Sequence, residues 1–309
     1  MGRKQVDLYK PPMPLPYDYQ PPSPIAIVLI VVGLIGCVAI STSKHGLDVP
    51  PTILQVLGLV ISIASVAVSG RFDDDADVLY SSPWPTLFSP AGFAFAIWGI
   101  IYLGEIAGVV ALAMAPNDGA KHAPSARAWL CANLAQALWC LSFRPWALSQ
   151  LWLSTLCLGV TAFCVFTSQR LLASEAGPTR EQWWVVGWPR SLHLGWLTAA
   201  TLVNLNAWAG LAGVGPSAAL AVAVLSLCAS VWFAHVYAAA RLPVASCAVA
   251  WALFAVGKGV PIGPDAAALG ELTMRGLAQA AEGAAAMALG LAVALPAWAW
   301  ASEHLGGSR

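Results

Sequence analysis

The chain has 309 residues, of which 59% are apolar and only 10% are charged, and fifteen basic side chains balance fifteen acidic ones. A soluble domain carries roughly 25% charged residues, so this composition excludes an ordinary globular protein and implies a polytopic membrane protein. Zero net charge leaves no basic footprint for nucleic acid.

Residues 1–24 form a Pro-rich tail (Pro11, Pro12, Pro14, Pro16, Pro21, Pro22, Pro24). Such a segment is extended, has no core of its own, and lies in solvent or along a partner. Nine stretches then approach the roughly 20 apolar residues that cross a bilayer. They are about 25–41, 52–69, 91–115, 126–143, 150–170, 189–213, 217–239, 243–260 and 277–301. Pro or Gly marks most boundaries, as at Pro50-Pro51, Pro90, Pro189, Pro216, Pro243 and Gly263-Pro264. The first stretch has a basic start and small residues after it (Ala39, Ser41), which fits a cleaved signal peptide. Its Pro-rich, partly acidic lead-in fits an uncleaved span better. Nine crossings put the termini on opposite sides, and basic residues divide almost evenly between those sides, so they set no orientation.

The loop before the third span carries Asp73-Asp74-Asp75-Ala76-Asp77 and then Trp84. The carboxylates lack the spacing of an EF-hand, so the reading is a solvated acidic loop rather than a cation site. In the third span, Phe95, Trp98, Tyr102 and Glu105 fall at i, i+3, i+7 and i+10, one face of a helix. A carboxylate at that depth costs several kcal/mol unless it is paired, protonated or facing a cavity. The face therefore points at protein or ligand. Glu105 is a ligand contact, pigment-metal ligand or proton site on one reading, and an interhelical hydrogen bond on the other.

Asn133, Gln136 and Cys140 form a stripe on the fourth span, continued by Arg144, and read foremost as polar glue between helices. His193, Trp196, Ala200 and Asn204 share a face of the sixth span. His193 is either a metal-centre ligand or a core histidine bonded to a neighbour. His235 reads as an interfacial histidine, and Lys258–Glu282 as a structural pair near an Ala/Gly-rich helix. All seven Cys fall in apolar runs without metal spacing. No nucleophile–base pair, phosphate loop or zinc motif occurs, so the chain is not read as an enzyme.

Two of these stretches, Pro90–Glu105 and Pro189–Asn204, resemble the TspO/MBR family of tryptophan-rich sensory proteins, relatives of the mitochondrial translocator protein. The first has that family's Pro-led helix with Phe95, Trp98 and Tyr102. The second has its Pro189, Trp196, Ala200-Thr201 and Asn204, and Ser191–Thr201 is closest to the family's extended branch. In the intervening helix Asn133 fits, Gln136 stands near an expected Trp, and Trp139 follows one turn later.

The resemblance implies an all-α bundle of about nine transmembrane helices. A TspO-like five-helix core would occupy 52–213, preceded by an extra helix and loop (25–51) and followed by three more helices and a short tail (214–309). It implies binding of a tetrapyrrole (porphyrin, heme or chlorophyll), a sterol or another lipid. The pocket would be lined by Trp84, Phe95, Trp98, Tyr102, Glu105, Asn133, Gln136, Trp139, His193, Trp196 and Asn204, with Trp84 in the loop that covers the family's ligand site. A second expectation is a non-catalytic accessory subunit of a photosynthetic or respiratory complex in a plastid or mitochondrial membrane. In that setting the tail docks on neighbouring subunits, and His193, His235, Glu105 or Gln136 ligate chlorophyll. A transporter ranks third, since no inverted repeat is visible.

Overall fold

A computed structural model describes residues 23–43, 49–73, 84–114, 123–174 and 183–305. The Pro-rich tail before Ser23 and the carboxylates Asp74, Asp75 and Asp77 lie outside the described residues. The architecture is all-α. Among the described residues nine long helices follow one another: α1 Pro24–Thr42, α2 Pro51–Ala67, α3 Ile97–Met114, α4 Ala123–Ser142, α5 Trp152–Ser174, α6 Trp188–Leu211, α7 Pro216–Ala239, α8 Pro243–Lys258 and α9 Pro264–Leu305. Five of them start on a proline and α6 has one at its second position. Proline's fixed φ suits the first turn, and its missing N–H removes a donor that would be unsatisfied there anyway. This is why the boundaries are readable.

Two elements differ from their sequence pattern. The Pro90-led segment does not enter the α-helix directly: Gly92–Ala96 is a 3₁₀ turn, and regular helix begins at Ile97. The last helix begins at Pro264, earlier than the apolar stretch 277–301, and breaks at Gly270, whose φ of 79° is cheap only for glycine.

The helices bearing α1, α3, α5, α7 and α9 are long and apolar enough to cross a membrane, and α2 and α8 are shorter apolar helices. The other two, α4 and α6, are the most polar and sit centrally. The first packs on α1, α2 and α5, the second on α3, α5, α7 and α8. Their polar side chains face protein. Arg190 donates to Gln55 Oε1 at 2.7 Å and to Ser168 Oγ at 3.1 Å, and its guanidinium lies 4.9 Å from the Trp129 ring centroid. Gln169 donates to Ser191 Oγ and to the Gly187 carbonyl, each at 2.6 Å. Asn206 donates to Ser226 Oγ on α7 at 2.8 Å. A backbone approach closes α6 onto α8: a Cβ on Gly195 would lie 2.1 Å from the Ala245 carbonyl oxygen. Small residues allow this kind of contact between membrane helices.

Candidate functional site

The segment 84–91 crosses one end of the bundle and is tied to the α8–α9 connection. Thr86 and Ile262 exchange both backbone hydrogen bonds, at 2.7 and 2.8 Å, and Ala91 N–H donates to the Ala255 carbonyl at 2.9 Å. Beneath it lies a cavity of about 1070 Å³ of non-atom space, its open mouth included. The part of that space open to a water-sized molecule is about 110 Å³, short of the roughly 300–1,000 Å³ of a drug-sized ligand site, so seating such a ligand requires the wall side chains to move.

The cavity walls are aromatic and aliphatic. At the mouth, Phe72, Trp84 and Phe143 pack edge to face with centroids 5.2–5.6 Å apart. Trp139 stacks on Phe143 at 5.2 Å. On the opposite wall, Trp196 meets Phe95 at 5.5 Å and Trp98 at 6.2 Å, both edge-on. Edge-to-face arrangements of this kind are favourable for the aromatic quadrupoles, so the walls are held in place by each other. The polar groups here are mostly satisfied internally: Trp139 Nε1 donates to Ser154 Oγ at 2.8 Å, and Ser154 donates to Asn204 Oδ1 at 2.7 Å. Trp196 Nε1 is different. It is buried, without a partner, and belongs to a side chain of the cavity wall.

Six of the sequence-selected residues border this cavity: Trp84, Phe95, Trp98, Trp139, Trp196 and Asn204. The other five do not. Tyr102, Glu105, Asn133, Gln136 and His193 form a polar layer behind Trp98. The Trp98 ring stacks on Tyr102 at 5.5 Å and stands edge-on to His193 at 5.4 Å, so this one side chain divides the two regions. Gln136 donates to Tyr102 Oη at 3.0 Å and Ser62 Oγ at 3.3 Å, joining α4 to α3 and α2. Asn133 donates to the Trp129 carbonyl of its own helix.

Within that layer His193 Nδ1 and Glu105 Oε1 are 2.7 Å apart, with 2% and 3% of the residues exposed. Each was singled out by its sequence context, but their pairing was not. They lie 88 positions apart, and no local spacing joins them. Arg144, a conceivable partner for Glu105, instead turns back to the carbonyls of Val68, Ser69 and Cys140. Sequence reasoning also missed the far wall, where Ser230 of α7 and Ala252, Leu253 and Val256 of α8 line the cavity. Small apolar residues in an apolar helix carry no signal of that role.

A model of TSPO-like proteins matches residues 52–259, two thirds of the chain. The chain belongs to the TSPO-like protein family. The match runs from α2 through α8, so it takes in both helices that complete the cavity wall. It leaves out α1 and α9. Searches of curated proteins and of solved structures returned no match. Family and fold together make this an integral membrane helical bundle of TSPO type.

Outside the cavity, Lys258 Nζ and Glu282 Oε1 are 2.6 Å apart, joining α8 to α9, with side chains 48% and 41% exposed. His235 is exposed beside Trp232. Asp73, the described member of the acidic run, pairs with Arg71 at 2.8 Å and borders the cavity mouth.

Proposed function

We propose that this TSPO-like protein binds a hydrophobic small molecule in the aromatic cavity between α3–α8 and the 84–91 segment. The observation that carries the reading is the cavity itself: apolar, aromatic on two walls, and presenting one unpartnered buried donor, Trp196 Nε1. Apolar walls with few convergent polar groups are the usual character of a ligand site. A ligand seated there gains apolar burial, stacking against Trp98 and Trp196, and a hydrogen bond if it carries an acceptor oxygen.

The lining favours a neutral sterol or lipid over a propionate-bearing tetrapyrrole. Among the described residues the lining includes no Lys, Arg or His side chain. Its one carboxylate, Asp73, lies at the mouth, and the chain continues with Asp74, Asp75 and Asp77. A dianionic porphyrin would have to compete with Asp73 for Arg71, the cation beside the mouth, and desolvating an unpaired charge is expensive. His193 stands behind Trp98, away from any metal centre in the cavity.

The test is equilibrium binding to the purified chain in nanodiscs, with cholesterol and protoporphyrin IX as probes. Cholesterol is expected to bind the wild type, and Trp196→Ala and Trp98→Ala to weaken it at least tenfold. Unchanged affinity in both variants would remove the cavity as the site, and tighter binding of protoporphyrin IX would reverse the ligand preference.

A further inference from the structure

Behind Trp98 the bundle holds three ionisable side chains away from solvent: Glu105 on α3, and Arg190 and His193 on α6, all 2–3% exposed. An oxygen and a nitrogen 2.7 Å apart need a proton between them, so Glu105 Oε1 and His193 Nδ1 share at least one. The other atom of each group, Glu105 Oε2 and His193 Nε2, is buried without a partner.

Glu105 and Arg190 both border a small gap, with Gly108, Trp129, Val185 and Val186, of about 180 Å³ of non-atom space. The part of it open to a water molecule is about 10 Å³, the least that holds one water, roughly 10–15 Å³. The wall at Val185 is part of a π-helical turn, Trp183–Gly187, a rare backbone form that is frequent at functional sites. Gly108 lets that turn approach: a Cβ there would lie 2.9 Å from the Val185 carbonyl oxygen.

We propose that Glu105 and His193 form a proton-binding site in the membrane interior, with Arg190 as its counter-charge across a water-sized gap. With one proton the pair carries a single negative charge and Arg190 balances it. With a second proton the pair is neutral and the local charge rises by one. Both orphaned atoms find a use in this scheme: Oε2 is left to accept from a water in the gap that Glu105 borders, and Nε2 is where the second proton sits when the imidazole is doubly protonated. A fixed structural pair does not need Arg190 bordering the same gap. Arg190 has its own neutral partners in Gln55, Ser125 and Ser168.

The other ionisable side chains on the surrounding helices are Tyr102 on α3, Arg127, Cys131 and Cys140 on α4, Cys157, Cys164 and Arg170 on α5, Cys228, His235 and Tyr237 on α7, and Cys247 and Lys258 on α8. The α2 helix has none. None of these borders the gap. The proton site does not depend on what fills the cavity. The two share Trp98 as a wall, so a change of charge at His193 reaches the cavity through that ring.

Infrared titration of the full, ligand-free chain in phosphatidylcholine nanodiscs tests this. The wild type minus Glu105→Gln difference should contain one carboxyl group that gains and loses a proton while circular dichroism stays unchanged. In His193→Gln its midpoint should move by about one pH unit or more. A flat difference across the whole folded range overturns the proposal. If Glu105→Gln does not fold, His193→Gln decides alone: a carboxyl titration identical to wild type overturns it, and a displaced one supports it.

Discussion

The cavity and the polar layer behind it share two helices, and on each the residues of one region lie within about two turns of those of the other. Trp196 and His193 are neighbours on α6, and Trp98 and Glu105 lie on α3, yet the two regions follow opposite rules. The cavity is apolar and open at one end, and the polar atoms of Trp139 and Asn204 are tied together through Ser154. The layer is closed and charged, and it keeps several polar atoms without partners. Apolar burial tolerates empty space poorly but needs no direction, so a lined void is a feature to be filled. Buried charge needs a specific partner, so the layer is fixed atom by atom.

That contrast gives an order of sensitivity. Glu105→Ala should be the most damaging change, because it leaves Arg190 and His193 buried without their carboxylate. Breaking a buried pair this way costs about 3–5 kcal/mol, and thermal unfolding in detergent should show a large loss, with Glu105→Gln, which removes the same charge but keeps the shape, losing nearly as much. A much smaller loss in Glu105→Gln than in Glu105→Ala would mean that the charge is not what matters.

Ser154→Ala acts at the cavity wall and should cost less, about 1–3 kcal/mol, since it strands Trp139 Nε1 and Asn204 Oδ1. It should also weaken ligand binding, because the Trp139 ring loses its anchor. The smallest effect should come from Lys258→Ala. Its pair with Glu282 has the same charges as a buried pair but is roughly half exposed, and such pairs contribute about 0–1 kcal/mol. If Lys258→Ala rivals Glu105→Ala in the same unfolding assay, burial is not what separates the two.

Much of the fold was legible. Proline at helix starts and apolar runs of crossing length located the nine long helices, because in lipid each helix must satisfy its own backbone. The path through Gly92–Ala96 was not, since a 3₁₀ turn and the first turn of an α-helix share the same apolar residues. Nor was the break at Gly270, a single glycine among residues that favour helix.

At the candidate site, aromatic periodicity placed Trp98, Trp139 and Trp196 on facing walls. The division between cavity and charged layer was hidden, because it depends on which way Trp98 closes and on a contact between α3 and α6. The α8 wall was hidden for a different reason: Ala252, Leu253 and Val256 read the same whether they face lipid, a neighbouring helix or a ligand.

The most direct test of the account is to identify what the protein carries. Purified in mild detergent from its native membrane, the wild type should bring a neutral, oxygen-bearing hydrophobic molecule, seen by mass analysis in stoichiometric amount, with no tetrapyrrole absorption. The Trp98→Ala/Trp196→Ala double variant should be depleted of it. Equal amounts of the same molecule on both proteins, or a stoichiometric tetrapyrrole on the wild type, would contradict the account.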